Sequence, residues 1–374
     1  MTRTLSGADA VVCGAGLAAA AVALELARRD RSVVLLASGR VGRSAGPGAP
    51  VAAQAFVEEA VPEARGRLAL FARDLFPDWL STLEEETAVP AEYDERGALT
   101  VAFDEPEEVL LDRALDAQRK RGVPFEVLEP EEVRGREPAL APDLRAAFSF
   151  PRDGVARARR IGRALVLAGR AAGVRLVDGT GARVVARTGG RVSGVETPAG
   201  FLPAAAVVLA EGEAVERGEA GLPPFPLEAS SRPWLRLDAS FDPDRPGRLL
   251  VSSGVRLVPR RDGTLVAFGR RGRDGRTGRC DASRLASLLE ALRQLVPAST
   301  AWEAGESGSA LELRTPDGLP LAGEADVAGL FLATAWGSDE LAFSPAAARF
   351  VADLVTRQEP PAPAAPFAPA RFGL

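Results

Sequence analysis

The chain has 374 residues, 46% hydrophobic and 26% charged, with 46 Lys and Arg against 51 Asp and Glu, giving a net charge of −5 at pH 7. That length suits one large or two ordinary domains with a sizeable core, and the acidic balance argues against a surface that coats nucleic acid. The chain has no histidine, which excludes a Ser-His-Asp triad, a Cys-His pair and histidine metal ligands, so any demanding chemistry falls to a bound cofactor.

Two cysteines, Cys13 and Cys280, make neither a disulfide framework nor a CxxC metal site, and no metal is expected. Cys13 lies in an apolar run and reads as a small buried hydrophobe. The opening residues lack the long apolar region of a signal peptide. No window carries about 18 uninterrupted apolar residues, so no membrane span is expected. A cytoplasmic location follows as the default, with homo- or hetero-oligomers left open.

The first element is the apolar run Ala8 to Cys13, suited to a buried parallel strand. Gly14-Ala15-Gly16-Leu17-Ala18-Ala19 follows, then a helix over residues 17–29 and a second strand from Arg31 to Leu36. Gly14-x-Gly16-x-x-Ala19 fits the G-x-G-x-x-G/A fingerprint of a dinucleotide-binding turn. The first glycine permits the bend, the second lets a diphosphate approach the backbone, and the small third residue lets helix and strand pack closely. The amides around Gly14, Ala15, Gly16, Leu17 and Ala18, with the positive end of the helix dipole, would meet the phosphates. The competing explanation is an Ala/Gly-rich helix start with no ligand. One expected part is missing, because the acidic residue that holds the ribose at the end of the second strand is Ala37 here. Ser38 offers one hydrogen bond instead, and Arg40 a phosphate contact.

Further along, a helix is expected over residues 56–88, a strand from Ala98 to Phe103, a helix over 105–121 with an acidic start, and another helix start at Glu129. A helix over 158–173 precedes short strands near 174–177, 183–187, 192–196 and 206–210. Leu249 to Pro259 and Thr264 to Gly269 read as a hairpin around Arg261-Asp262-Gly263. Ser283 to Leu295 reads as a helix, Leu330 to Ala333 as a strand, and Ser344 to Arg357 as a helix. Strands alternate with helices at both ends and β-rich pieces lie between, the pattern of an α/β nucleotide domain interrupted by an α+β domain. The Pro/Ala-rich tail, residues 359–374, reads as extended.

Four stretches resemble the D-amino-acid oxidase family, in its glycine oxidase, thiamine-biosynthesis type. They are VVCGAGLAAAAVALELARRDRSVVLLASGR; GVRLVDGTGARVVARTGGRVSGVETPAG with AAAVVLAEGEAV; LVPRRDGTLVAFG; and LRTPDGLPLAG with GLFLATAWGSDELAFSPAAARFVADLV. The resemblance implies FAD as cofactor and a Rossmann-like FAD-binding domain, a parallel sheet with helices, interrupted by a mixed-sheet substrate domain. The first would comprise residues 1–88, 146–220 and 315–358, and the second 89–145 and 221–314. It also implies that Val184 touches the adenine region, that Gly212 lies by the cofactor, and that Trp336, Gly337, Ser338, Asp339, Glu340 and Leu341 form the flavin-contacting loop.

The site departs from the family's pattern. The arginine that anchors the substrate carboxylate is replaced by Glu312, which would repel it, while Arg314 lies two residues on and so on the same strand face. The family's hairpin tyrosine corresponds to Arg256, which suits bidentate carboxylate pairing. Each arginine has a plainer explanation as a surface or ion-paired charge. In the flavin loop, Ala335-Trp336 replaces a Gly-His pair and Glu340 replaces a glycine, so Trp336 either stacks on the flavin or fills its space. The resemblance implies an FAD-dependent oxidoreductase that oxidises a small amine or amino acid by hydride transfer. The alternatives are a non-catalytic structural or partner subunit with weak or no FAD binding, and a flavoenzyme of different chemistry.

Overall fold

A computed structural model describes residues 5–42, 49–51, 62–179, 184–216, 218, 223–225, 227–272 and 280–374. In chain order, β1 (Ala8–Cys13), α1 (Leu17–Arg28) and β2 (Val33–Ala37) form the opening βαβ unit. The short β3 (Ala49–Val51) and the long α2 (Glu63–Thr87) follow. Next come β4 (Ala98–Ala102), α3 (Glu105–Lys120), β5 (Glu126–Val127), α4 (Pro130–Arg136) and β6 (Ala146–Phe150). The chain continues through β7 (Gly154–Ala156), α5 (Ala158–Ala171), β8 (Arg175–Asp178), β9 (Val184–Thr188), β10 (Arg191–Thr197), β11 (Gly200–Leu209) and α6 (Gly212–Glu216). It then forms β12 (Glu228–Asp238), β13 (Leu249–Val251), β14 (Val255–Pro259), β15 (Thr264–Gly269), α7 (Ala282–Leu295) and β16 (Glu303–Arg314). β17 (Leu321–Glu324), β18 (Leu330–Thr334) and α8 (Glu340–Val355) close the regular structure.

These elements build a mixed α/β fold with two mixed sheets. The first runs β17-β18-β11-β1-β2-β8, with β10 paired to β11 and β9 to β10. From β18 to β8 the neighbours are parallel, and strands buried on both faces read as continuous apolar runs, as VVLLA of β2 does. One face meets α1, α5 and α8; the other is covered by Val185, Val192, Val195, Phe225 and Leu374. α1 packs against both α8 and α5. Its alanines make that possible, because small side chains let three helices and the sheet approach closely; five of the residues from Ala18 to Ala23 are alanine and all are buried.

The second sheet runs β16-β12-β15-β14-β13-β4-β6-β5. Its longest pairing is antiparallel, between β12 and β16, with Ser230 opposite Glu312 and Glu228 opposite Arg314. α7 covers one face through Leu288, Leu292 and Leu295, and α3 the other through Leu111 and Leu115.

Several sequence expectations are corrected. β6 belongs to the second sheet, although residues 146–150 were expected in the first domain. Residues 56–61 of the expected second helix and Arg183 of an expected strand lie outside the described residues. α8 runs Glu340–Val355 with Pro345 inside the helix, whereas a helix was expected from Ser344 to Arg357. β12 was not anticipated, because its buried Ser230, Ser231 and Arg232 and its Pro233 break the apolar alternation. The tail is not extended. It forms short 3₁₀ turns over Ala365–Phe367 and Pro369–Phe372 and docks on the first sheet, burying Phe367 and Leu374. Its apolar letters, read as linker composition, are packing contacts. Among the described residues no helix is long and apolar enough to cross a membrane.

Candidate active site

The glycine corner behaves as its composition predicts. Gly14 has φ +154, and a Cβ there would lie 3.1 Å from the Cβ atoms of both Ala19 and Ala210. The Gly14 amide donates to Leu36 O at 2.8 Å, locking the bend to the neighbouring strand. Gly16 is the N-cap of α1 and supplies no side-chain cap, so the first amides of the helix need an outside acceptor. They have one. Ala18 N donates to Glu340 Oε1 at 3.1 Å, and Leu17 N also bonds this carboxylate. A Cβ on Gly16 would collide with the same oxygen. Burial raises the Glu340 carboxyl above the usual range, and the Ala18 and Leu17 amides pull the other way.

Ala37 ends β2 fully buried, whereas Ser38 and Arg40 beyond it are exposed. Val184 opens β9; its side chain lies outside the described residues. Gly212 opens α6 beneath the end of β11, where a Cβ would lie 2.6 Å from Leu313 Cδ1 and 3.0 Å from Thr334 Oγ1. The absence of a side chain at Gly212 therefore serves packing against β16 and β18.

The loop from β18 to α8 is tightly wound, with Ala335 at φ +62 and Gly337 at φ +71. A left-handed alanine costs about 1–2 kcal/mol, so neighbouring contacts must hold the loop. Trp336 is one of them. It is buried, its Nε1 donates to Ala333 O at 2.9 Å, and its ring lies 6.0 Å from that of Phe343. Trp336 and Leu341 are thus core residues of the α8 layer, filling space rather than facing a surface.

Arg65 of α2 holds the same loop. It donates to Trp336 O at 3.0 Å, to Gly318 O at 3.3 Å and to Asp339 Oδ2 at 2.8 Å, and lies 4.9 Å over the Phe343 ring. Ser338 Oγ donates to the other Asp339 oxygen at 3.1 Å. Burial pushes the Asp339 carboxyl up, but the guanidiniums of Arg65, Arg256 and Arg314 outweigh it and hold the group below the usual range. The charges of Arg256 on β14 and Arg314 on β16 thus both act on this one carboxylate. Burial lowers the Arg314 pKa, with Arg271 and Arg65 pushing the same way. A Cβ on Gly337 would lie 3.0 Å from Arg314 Nε, so the glycine admits that side chain.

Glu312 does not face Arg314's partners as an exposed repulsive charge. It is buried between Arg232 Nε and Arg271 Nε, each at 3.0 Å. Its negative charge is thereby compensated. Arg65, Arg232 and Arg271 were missed in the sequence. For Arg65 a signal existed: it continues the Leu68, Ala72, Phe76 stripe of α2 at helical spacing and is itself buried. A charged residue in an apolar stripe marks a buried partner.

Comparison with known proteins agrees over nearly the whole chain. The family described as DAO, FAD dependent oxidoreductase, matches residues 9–354. A glycine oxidase of Geobacillus kaustophilus is 30% identical over 370 residues, covering 96% of both chains. The crystal structure of glycine oxidase from Geobacillus kaustophilus superposes with a TM-score of 0.88 at 28% identity, covering 98% of each chain. A bifunctional protein ThiO/ThiG of Trichormus variabilis is 28% identical over 359 residues, which are 94% of this chain and 53% of that protein. The chain thus spans about half the length of the bifunctional relatives it matches.

Proposed function

The chain belongs to the DAO family of FAD-dependent oxidoreductases, and from that premise we propose that it oxidises the C–N bond of a small amine or amino acid bearing a carboxylate. The observation that supports this most is that Arg314 of β16 packs against the loop that leads into α8, where a Cβ on Gly337 would lie 3.0 Å from its Nε, and that the charges of Arg256 and Arg314 both act on Asp339 of that loop. Two guanidiniums from different strands whose charges reach one loop suit the binding of a further carboxylate. The glycine oxidase relatives, alike over almost all of their length, favour this reading over a non-catalytic partner subunit.

The residues present fit FAD at its diphosphate. The α1 amides already hold an oxyanion, the Glu340 carboxylate, which stands in for phosphate oxygens. Gly14, Ala15, Gly16, Leu17 and Ala18 would line the diphosphate, Ser38, Arg40 and Val184 the adenosine, and Gly212 with the loop from Trp336 to Leu341 the flavin side. In this reading the first sheet and its helices hold the cofactor, and the second presents the substrate-facing arginines. When bound, FAD supplies the hydride acceptor. The protein's part is to position. Arg256 and Arg314 orient the substrate carboxylate, and Asp339 gives up part of its hold on them as the substrate arrives. Arg65 keeps Asp339 and the Trp336 carbonyl in place meanwhile.

The test is anaerobic bleaching of bound flavin by glycine, sarcosine and D-alanine, followed by steady-state kinetics of Arg256→Ala and Arg314→Ala. Loss of one charge-assisted contact, about 1.5–3 kcal/mol, raises KM roughly 10- to 100-fold. Flavin that none of these amines reduces, or two variants with unchanged KM, overturns the proposal.

A further inference from the structure

We propose that Glu340 is a displaceable occupant of the diphosphate cradle, so that its carboxylate and the diphosphate of FAD take the same α1 amides in turn. The inference rests on the family's use of FAD and concerns a side chain of this chain alone. Three observations meet at one point. The α1 N-terminus has no cap of its own. Its Ala18 amide, with that of Leu17, is bonded to Glu340. Gly16, the position where a dinucleotide fold needs a bare backbone, is bare here against Glu340 Oε1. The carboxylate therefore sits where phosphate oxygens are expected, and its negative charge repels theirs across the same short distance.

The occupant is tethered but mobile in principle. Glu340 begins α8, and only its flexible side chain, not the helix, has to turn aside. While seated it satisfies amides that would otherwise lack an acceptor, which stabilises the protein without cofactor. Binding of FAD then has to overcome both the lost carboxylate contact and the cost of moving the charge. The same residue thus raises the stability of the flavin-free form and lowers its affinity for flavin.

The experiment compares the flavin-free full chain with Glu340→Gly and Glu340→Gln by titration with FAD, ADP and riboflavin, and by thermal melting. Glu340→Gly should tighten FAD and ADP by roughly tenfold or more, the worth of one charge-assisted contact, and should lower the melting temperature of the flavin-free protein. Glu340→Gln keeps the size, loses the charge and should fall between the two in affinity for FAD and ADP. Riboflavin, which has no phosphate, should bind all three proteins alike. Equal affinities for ADP across the three proteins overturn the proposal, and so does a gain for riboflavin as large as that for ADP. If Glu340→Gly does not fold, Glu340→Gln against the parent decides by the same ADP comparison. Amine oxidation is not part of the readout, so failure of that reading leaves this one standing and the reverse.

Discussion

The molecule builds two anion-facing places by opposite means. The α1 cradle is made of backbone, from near-consecutive residues, and it is visited by a carboxylate 322 positions away in sequence. The arginine cluster is made of side chains from α2, β12, β14, β16 and the loop before α8. A backbone cradle is specified by a few small residues and is indifferent to which anion enters. A side-chain cluster needs every member placed by a separate element, and each buried charge depends on another.

That contrast is most easily broken at Glu312. It lies 4% exposed between Arg232, 3% exposed, and Arg271. Glu312→Ala removes the carboxylate that Arg232 and Arg271 share and should cost about 3–5 kcal/mol, read as a drop in the urea midpoint. A loss below about 1 kcal/mol would mean that the cluster is looser than its geometry says. Removal of Glu340, by contrast, exposes backbone amides that water can satisfy, so its stability cost should be about 1 kcal/mol, as for an N-cap.

Acid sharpens the contrast next, because the neighbours Asp339 and Glu340 are shifted in opposite directions. The Asp339 carboxyl is lower folded than its ordinary 3.8, so its contribution is complete above that pH and is lost only as pH falls through the lower folded value. The Glu340 carboxyl is higher folded than its ordinary 4.5, so the cost of keeping it charged is present at neutral pH and is relieved as pH falls through the raised value. The parent should therefore gain stability relative to Glu340→Gln as pH falls from neutral toward 4.5, measured by urea unfolding at each pH. Parallel curves for the two proteins would remove the assigned shift.

The smallest effect belongs to the cradle's outer edge. Ser38 is exposed beyond β2, and a single neutral hydrogen bond is worth about 0.5–1.5 kcal/mol. Ser38→Ala should weaken FAD binding no more than a few-fold in a fluorescence titration. A larger loss would show that Ser38 carries the adenosine in place of the acidic residue that Ala37 lacks.

The same contrast explains what could be read from the sequence. The βαβ corner was legible because its requirements are local: Gly14 for the bend, Gly16 for approach, Ala19 for packing. Arg256 and Arg314 were legible as a pair of candidates through likeness to a family, and the charges of both act on Asp339. Glu340 stood out as a departure from a glycine, but nothing local says that its side chain reaches α1. Arg232 and Arg271 were invisible because pairing with Glu312 brings together β12, β16 and the segment after β15, and is not a property of any one segment. The tail was misread since alanine and proline signal a linker when alone and a packed turn when Phe367 finds α8's Phe350 at 5.7 Å.

The docking of that tail reaches further than its size suggests. Arg371 pairs with Asp317 at 2.8 Å and donates to the carbonyls of Leu319 and Pro320, while Thr315 and Asp317 tie the same turn from within. This turn begins one residue after Arg314, and its Gly318 carbonyl accepts from Arg65. The far end of the chain thus serves as a buttress for the strand terminus that carries Arg314. A proteolytic nick near residue 360 would slacken that support from a distance, degrading how Arg314 is aimed while leaving every residue around Asp339 chemically intact.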